Sequence, residues 1–449
     1  MSIFYREFIA SMQRFQAQKG LIKGYAFDSR KIGHGELFFA LKGAKCDGHA
    51  FLEEVAKRGA MAAVVSRGYK GPTQGLPLFF VDNVTDALQA LARESMKGFC
   101  GTVIGITGSF GKTTTKEFLA QLLNPKDLIA KTIGNANSQV GLPLFLLNAK
   151  AKEGILIVEM GMSSPGQIKT LVSIIPPKIA LVTGIALAHV DGFTNGLEGI
   201  AEAKAEIFSH PETKKGFISS SIACYPPLLN AGTMAKTTFG VFPEKADTVL
   251  HKWNNQWNNQ WIIEERGKKT APFSLPFTET HLCENFLAAA VLARSVGMEW
   301  EEIFSRAHLL APFPLRYEKV EREGILFIND CYNANPTSMR AALANLPKPK
   351  PGRKTIAVLG EMPGLAQFSE REHREVGIFA KERVDYLFCY RTNTTPLLEA
   401  YQKSGSPAEY FEDFAALKKR VFEIAKEGDC VLIKGANDNQ LWRILDSDL

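Results

Sequence analysis

Lys112 and Thr113 close a compact glycine turn, Thr107-Gly108-Ser109-Phe110-Gly111-Lys112-Thr113-Thr114. The turn follows an apolar run, Thr102-Val103-Ile104-Gly105-Ile106. It precedes a stretch, Thr114 to Leu123, in which Phe118, Leu119, Leu122 and Leu123 fall on one side of a helix. A buried strand, a glycine turn and a Lys-Thr pair at a helix start together make a cradle for phosphate. Glycines let backbone N–H groups approach phosphate oxygens, and the helix N-terminus adds positive potential. In this reading Lys112 reaches the β- and γ-phosphates of ATP and the Thr113 hydroxyl holds Mg²⁺. Gly108 and Gly111 stand closer together than in the common GxxxxGK spacing. The plain alternative is a tight turn with a surface lysine, and the flanking strand and helix weigh against it.

Three further groups could serve such a cradle. Gly154 to Glu159 reads as a buried strand ending in a carboxylate, well placed for Mg²⁺ beside a phosphate loop. Taken alone, Glu159 reads equally well as a strand-end surface charge. The strand Leu181-Val182-Thr183 leads to His189, and a lone histidine is more often structural than functional. Lys204 lies on a helical pattern, Ala203-Lys204-Ala205-Glu206-Ile207-Phe208, where Glu202, Lys204 and Glu206 would also suit a solvated face.

Apolar runs alternate with amphipathic helical patterns almost throughout, the βαβ signature of parallel α/β sheets. At 449 residues the chain is expected to hold roughly three domains. The breaks are placed at 1–99, 100–312 and 313–449, with the proline-containing Ala311-Pro312-Phe313-Pro314 as a hinge. The repeat Trp253-Asn254-Asn255-Gln256-Trp257-Asn258-Asn259-Gln260-Trp261 reads as a polar hairpin with one aromatic face, with a ligand platform as the alternative.

Composition bounds the function. A net charge of +6 is mild for this length; it suits anionic small substrates and does not suggest a nucleic-acid partner. Seven scattered cysteines without metal-ligand spacing fit buried thiols in a reducing compartment. Met1 to Phe15 has no apolar run before a cleavage site, so no signal peptide is expected. The longest apolar stretch, Ile179 to Ala188, is well short of the ~20 residues that span a bilayer. A cytoplasmic monomer without membrane insertion is expected.

The compact Thr-Gly-x-x-Gly-Lys-Thr-Thr turn is similar to that of the Mur ligases, which build the peptide of bacterial peptidoglycan. The resemblance covers essentially the whole chain. In the first block, Asp28-Ser29-Arg30, Gly35 to Gly43 and Asp47-Gly48-His49 resemble the family's UDP-binding domain, which implies that Ser29 and Arg30 contact the uridine diphosphate. Gly134-Asn135-Ala136-Asn137 and Gly141-Leu142-Pro143-Leu144 resemble the segment after the phosphate-loop helix, with Ser138 in place of an asparagine; Asn135 and Asn137 are taken as substrate contacts. The resemblance makes His189 a metal-contacting histidine and Lys204 a carbamylated lysine that helps hold Mg²⁺. It sets Asn285 against adenine, although Leu282 replaces an asparagine nearby. It gives Arg316, in Phe313-Pro314-Leu315-Arg316, to the ATP phosphates, with Leu315 where the family has glycine.

In the last block, Asp330 matches a residue on the ATP ribose. Tyr332-Asn333-Ala334-Asn335-Pro336-Thr337-Ser338-Met339 resembles the members that add D-Ala-D-Ala, which makes Tyr332, Asn333 and Asn335 substrate contacts. Val358-Leu359-Gly360-Glu361-Met362 fits with Glu for Asp, Pro363-Gly364 departs from the pattern, and Ala436 and Asn437 depart from a Lys-Gly-Ser-Arg turn.

The resemblance therefore implies three α/β domains: a small UDP-binding domain, a central P-loop sheet and a Rossmann-like C-terminal domain. It also implies ATP-dependent ligation of D-Ala-D-Ala to UDP-N-acetylmuramoyl-tripeptide through an acyl phosphate. The competing readings are a family member adding the third amino acid, a folylpolyglutamate ligase, a P-loop phosphotransferase or ATPase, and a nucleotide-binding module without catalysis.

Overall fold

The computed structural model describes residues 3–43, 46–123, 128–149, 154–193, 195–253, 259–403 and 405–446. Its strands form three sheets, each in a separate stretch of the chain. The first is parallel and four-stranded, from Tyr25–Ala26 to Leu78–Val81, with its strands in chain order. The helix Val84–Ser95 packs its apolar side there through Leu88 and Leu91, and Asn83 caps its first turn by accepting from the Thr85 and Asp86 amides.

The central sheet is ten-stranded. The strand Thr102–Thr107 runs parallel between Ile179–Val182 and Ile155–Glu159, paired Ile106↔Leu181 and Ile106↔Glu159. These strands are near-continuous apolar runs because helices cover both faces. From Thr102–Thr107 the chain crosses to Ile129–Lys131 at one edge, returns through Ile155–Glu159, and then passes to the other side at Ile179–Val182. That reversal opens a crevice at the carboxyl ends of the strands, where α/β sheets bind ligands.

The repeat expected to form a hairpin begins and ends as one. Thr248–Lys252 pairs antiparallel with Gln260–Glu265, and the Trp253 amide donates to the Gln260 carbonyl at 2.9 Å. Trp261 turns into the core under the Lys252 ammonium, while residues 254–258 lie outside the described residues. The third sheet has six strands; Glu318–Arg322 is an antiparallel edge on an otherwise parallel Rossmann-like order.

Candidate active site

Two glycines shape the phosphate loop. Gly108 has φ +150, and a Cβ there would sit 2.0 Å from the Thr183 hydroxyl oxygen. Gly111 has φ +78 and opens the helix Lys112–Leu122; a Cβ there would sit 2.5 Å from the Asn285 Oδ1. The left-handed turn and the close approach both exclude a side chain. The helix starts at Lys112, two residues before the sequence pattern suggested, so Lys112 and Thr113 occupy its first turn. The Ser109 amide and hydroxyl donate to the carbonyls of Gly184 (2.8 Å) and Ala186 (3.0 Å), which ties the loop across the crevice.

Around the loop lies a cavity of about 880 Å³, lined by Gly108 to Thr114, Asn137, Glu159, His189, Lys204, Asn285, Arg316, Asp330, Tyr332, Asn333 and Asn335, among others. Residues from the central and third sheets thus meet in one space. Four sequence-selected residues stand elsewhere. Thr107 is buried beneath the loop, and Asn135 is exposed beyond the cavity lining. Ser29 is buried in the first sheet's region, where its hydroxyl donates to Glu54 at 3.0 Å. Arg30 is solvent-exposed and ion-paired with Asp28 at 2.9 Å.

Glu159 is almost fully buried at its strand end. One carboxylate oxygen accepts from the Thr113 hydroxyl at 3.0 Å and the other from the Asn137 amide at 2.8 Å. Arg316 crosses from the third sheet's side, and its Nη2 donates to the Thr113 hydroxyl at 3.0 Å while its guanidinium lies 3.8 Å over the Tyr332 ring. Leu315, where the family has glycine, holds the left-handed backbone with φ +63. Its carbonyl accepts from the Tyr332 amide at 3.2 Å, which fixes the turn that delivers Arg316.

The cavity gathers basic groups. Lys112 donates to the Gly108 carbonyl at 2.7 Å. Burial lowers its pKa, and nearby Arg316 lowers it further against the pull of Glu159. Lys204 is buried, not on a solvated face; burial pushes its ammonium well below the ordinary lysine value and Lys112 adds to this. Burial also lowers His189, with Lys112 and Lys204 as the next causes. His189 holds a left-handed backbone, φ 56 and ψ 34, a conformation that costs a non-glycine residue roughly 1–2 kcal/mol.

Oxygen donors at Thr113 and Glu159 beside Asn137 fit a hard cation such as Mg²⁺. Among the described residues no group of three His, Cys, Asp or Glu side chains could hold a metal ion.

On the third sheet's side, Asp330 pairs with the fully buried Lys434 ammonium at 2.6 Å. Asn335 caps the helix Pro336–Ala344 and its amide reaches the Ser109 carbonyl at 3.4 Å. Three features escaped sequence reasoning. Lys116, fully buried, donates to the Thr132 carbonyl at 2.6 Å and lies 3.9 Å from Glu159. Its only signal was the four-residue step from Lys112, and a helical lysine normally reads as solvated. Thr183 braces the loop through hydrogen bonds to the Thr107 and Phe110 carbonyls. Lys434 is the lysine of the Lys434-Gly435-Ala436-Asn437 turn that the sequence compares with Lys-Gly-Ser-Arg, but nothing in that turn marks it as the partner of Asp330. Of the departures, Ser138 and the buried Leu282 line the cavity, and Ala436 and Asn437 do not.

A phosphate loop at a sheet crevice, closed by an arginine from a second α/β sheet, defines a P-loop nucleotide-dependent enzyme. Residues 21–95 match the Mur ligase family catalytic domain, 106–293 the Mur ligase middle domain, and 315–437 the Mur ligase glutamate ligase domain. The UDP-N-acetylmuramoyl-tripeptide–D-alanyl-D-alanine ligase of Bacillus subtilis is 31% identical over 96% of this chain and 94% of its own length. The crystal structure of MurF ligase from Thermotoga maritima in complex with ADP is 29% identical with a TM-score of 0.77, covering 95% of this chain and 96% of that one. A MurF structure from Acinetobacter baumannii is 25% identical with a TM-score of 0.83, covering 96% of this chain and 97% of that one. The chain belongs to the Mur ligase family.

Proposed function

We propose that this chain is the ATP-dependent ligase that joins D-Ala-D-Ala to the terminal carboxylate of UDP-N-acetylmuramoyl-tripeptide, giving the UDP-muramoyl-pentapeptide. One observation carries the reading: the phosphate loop and Tyr332, Asn333 and Asn335 line the same cavity, so ATP and the incoming amine can meet there. The relatives of similar sequence are named for this ligation.

The chemistry follows from charge. A carboxylate has no good leaving group, so its oxygen first attacks the γ-phosphorus of ATP, forming an acyl phosphate and releasing ADP. The neutral amine of D-Ala-D-Ala then attacks the acyl carbon. The tetrahedral adduct collapses, phosphate leaves, and the nitrogen sheds its proton. The first step brings two anions together, so pre-placed positive charge lowers its barrier most. Lys112 and Arg316 supply that charge on the phosphates. Lys112 is free to exchange the Gly108 carbonyl for phosphate oxygen, and the Arg316 fork is already aimed at Thr113.

Asn285 stands at the Gly111 end of the loop for adenine, and Asp330, fixed by Lys434, for the ribose. Thr113, Glu159, His189 and a carbamylated Lys204 would hold Mg²⁺, which when bound supplies charge neutralisation on the transferring phosphoryl group. Ser29 and Arg30 are assigned to the UDP moiety and Asn135 and Asn137 to the muramoyl substrate. Tyr332, Asn333 and Asn335 are assigned to the peptide substrates.

The domain boundaries fall near 99 and 312, and the enzyme works as a cytoplasmic monomer. Among the described residues no helix is long and apolar enough to cross a membrane. The test is product mass: incubation with UDP-muramoyl-tripeptide, ATP and D-Ala-D-Ala must yield the pentapeptide, and a product carrying a single added amino acid would overturn the assignment.

A further inference from the structure

The turn 361–365 of the third sheet's domain departs from the family pattern at Pro363-Gly364, and it is anchored firmly on its own side. Met362 and Leu365 are buried. The Met362 amide donates to Nε2 of the fully buried His373 at 3.1 Å. The other ring nitrogen of His373 lies 2.8 Å from the Ser369 carbonyl, so it carries the proton and the ring is neutral. Pro363 and Gly364 are left between the two buried anchors, and Gly364 has φ +71.

Gly364 meets the central sheet's domain at the His189 loop. Its carbonyl accepts from the Val190 amide at 2.9 Å. A Cβ on Gly364 would sit 3.1 Å from the His189 backbone nitrogen and 3.3 Å from its Cα. On its far side the His189 loop is pinned: Gly192 donates to the His189 carbonyl at 3.1 Å, and a Cβ on Gly192 would sit 2.1 Å from the Ser163 carbonyl oxygen. The loop is thus held between a fixed neighbour in its own domain and the Gly364 turn of the other.

We infer that Gly364 is a positioning residue: docking of its carbonyl on Val190 holds His189 in its left-handed conformation and turns the imidazole into the cavity. Completion of the phosphate site at His189 is thereby tied to closure of the third domain. Among the other cross-domain bonds, Arg316 to Thr113 and Asn335 to Ser109 deliver groups that this domain itself carries, while Asn345 accepts from the Thr280 amide at 2.9 Å and Lys319 pairs with Glu279 at 2.7 Å. The Gly364 contact bears on the His189 loop, whose histidine lines the cavity. The inference rests on the reading of His189 as part of the phosphate and metal site.

The test is Gly364→Ala together with Gly364→Asn, since asparagine tolerates a positive φ and so separates the Cβ contact from backbone strain. Each variant is read by kcat and KM for ATP, by thermal unfolding, and by small-angle X-ray scattering with and without ADP and MgCl₂. Both variants should unfold near the wild-type temperature and keep KM for ATP within about twofold, with kcat about tenfold lower or more. The wild type should contract on adding nucleotide and the variants should contract less; a wild type that does not contract also overturns the inference. Unchanged kcat in Gly364→Asn, or an unchanged contraction, overturns the inference. The scattering measurement needs no muramoyl substrate, so it judges the Gly364 contact even if the peptide substrates prove to be others.

Discussion

The Arg316 guanidinium donates to the Thr113 hydroxyl at 3.0 Å while the same hydroxyl donates to Glu159 at 3.0 Å, so one short chain joins the third domain to the strand-end carboxylate through the phosphate loop. The arginine also lies flat over Tyr332, 3.8 Å from its ring centre. Lysine would keep the charge but lose both the fork and the stack. Arg316→Lys is expected to cost about 2 kcal/mol in transition-state stabilisation, roughly a thirtyfold fall in kcat/KM. Steady-state kinetics check this, and a variant within about twofold of wild type would leave the arginine with no phosphate role.

The phosphate loop was legible because its signal is local: a strand, a glycine turn and a helix start lie within about twenty residues. The resemblance pointed to Arg316 but left its geometry open, since Leu315 stands where the family has glycine. The structure answers with a leucine in the left-handed region. Lys116 was not legible, because its burial comes from Thr132 and Glu117 closing over it, a tertiary fact. The Gly364 contact was equally hidden, since it exists only between domains.

Lys204 offers a chemical test. Burial and Lys112 push its ammonium well below the ordinary lysine value, which raises the share of neutral amine that can add CO₂. A carbamate would replace a cation that opposes metal binding with two oxygens that favour it. Lys204→Ala should lose about a hundredfold or more in kcat and recover part of it with added acetate or another short carboxylic acid. A fully active variant, or a dead one indifferent to every such acid, contradicts the carbamate.

His281 predicts a pH effect. It lines the cavity with its ring edge-on to Tyr317, 4.7 Å between centres, and its Nδ1 is buried without a partner. Burial pushes its pKa down to about 4 from 6.5, against the opposing pull of Asp330 and Glu279. The folded state therefore resists a proton that the unfolded chain accepts, so stability falls as pH drops from about 6.5 toward about 4 and is fully retained above that window. Between pH 7 and pH 5 this one group should cost the wild type ~2 kcal/mol more than it costs His281→Asn. Urea unfolding of both proteins at the two pH values measures the difference, and equal losses would show that His281 titrates normally.

The central claim is the identity of the amine. Phosphate release should be measured with ATP and UDP-muramoyl-tripeptide, offering D-Ala-D-Ala in one arm and single amino acids in the other, with a parallel reaction of UDP-muramoyl-dipeptide and diaminopimelate. The account predicts that D-Ala-D-Ala drives release and that the single amino acids leave it at background. Turnover of the dipeptide with diaminopimelate, and none of the tripeptide with D-Ala-D-Ala, would contradict it and move the chain to the preceding ligation step.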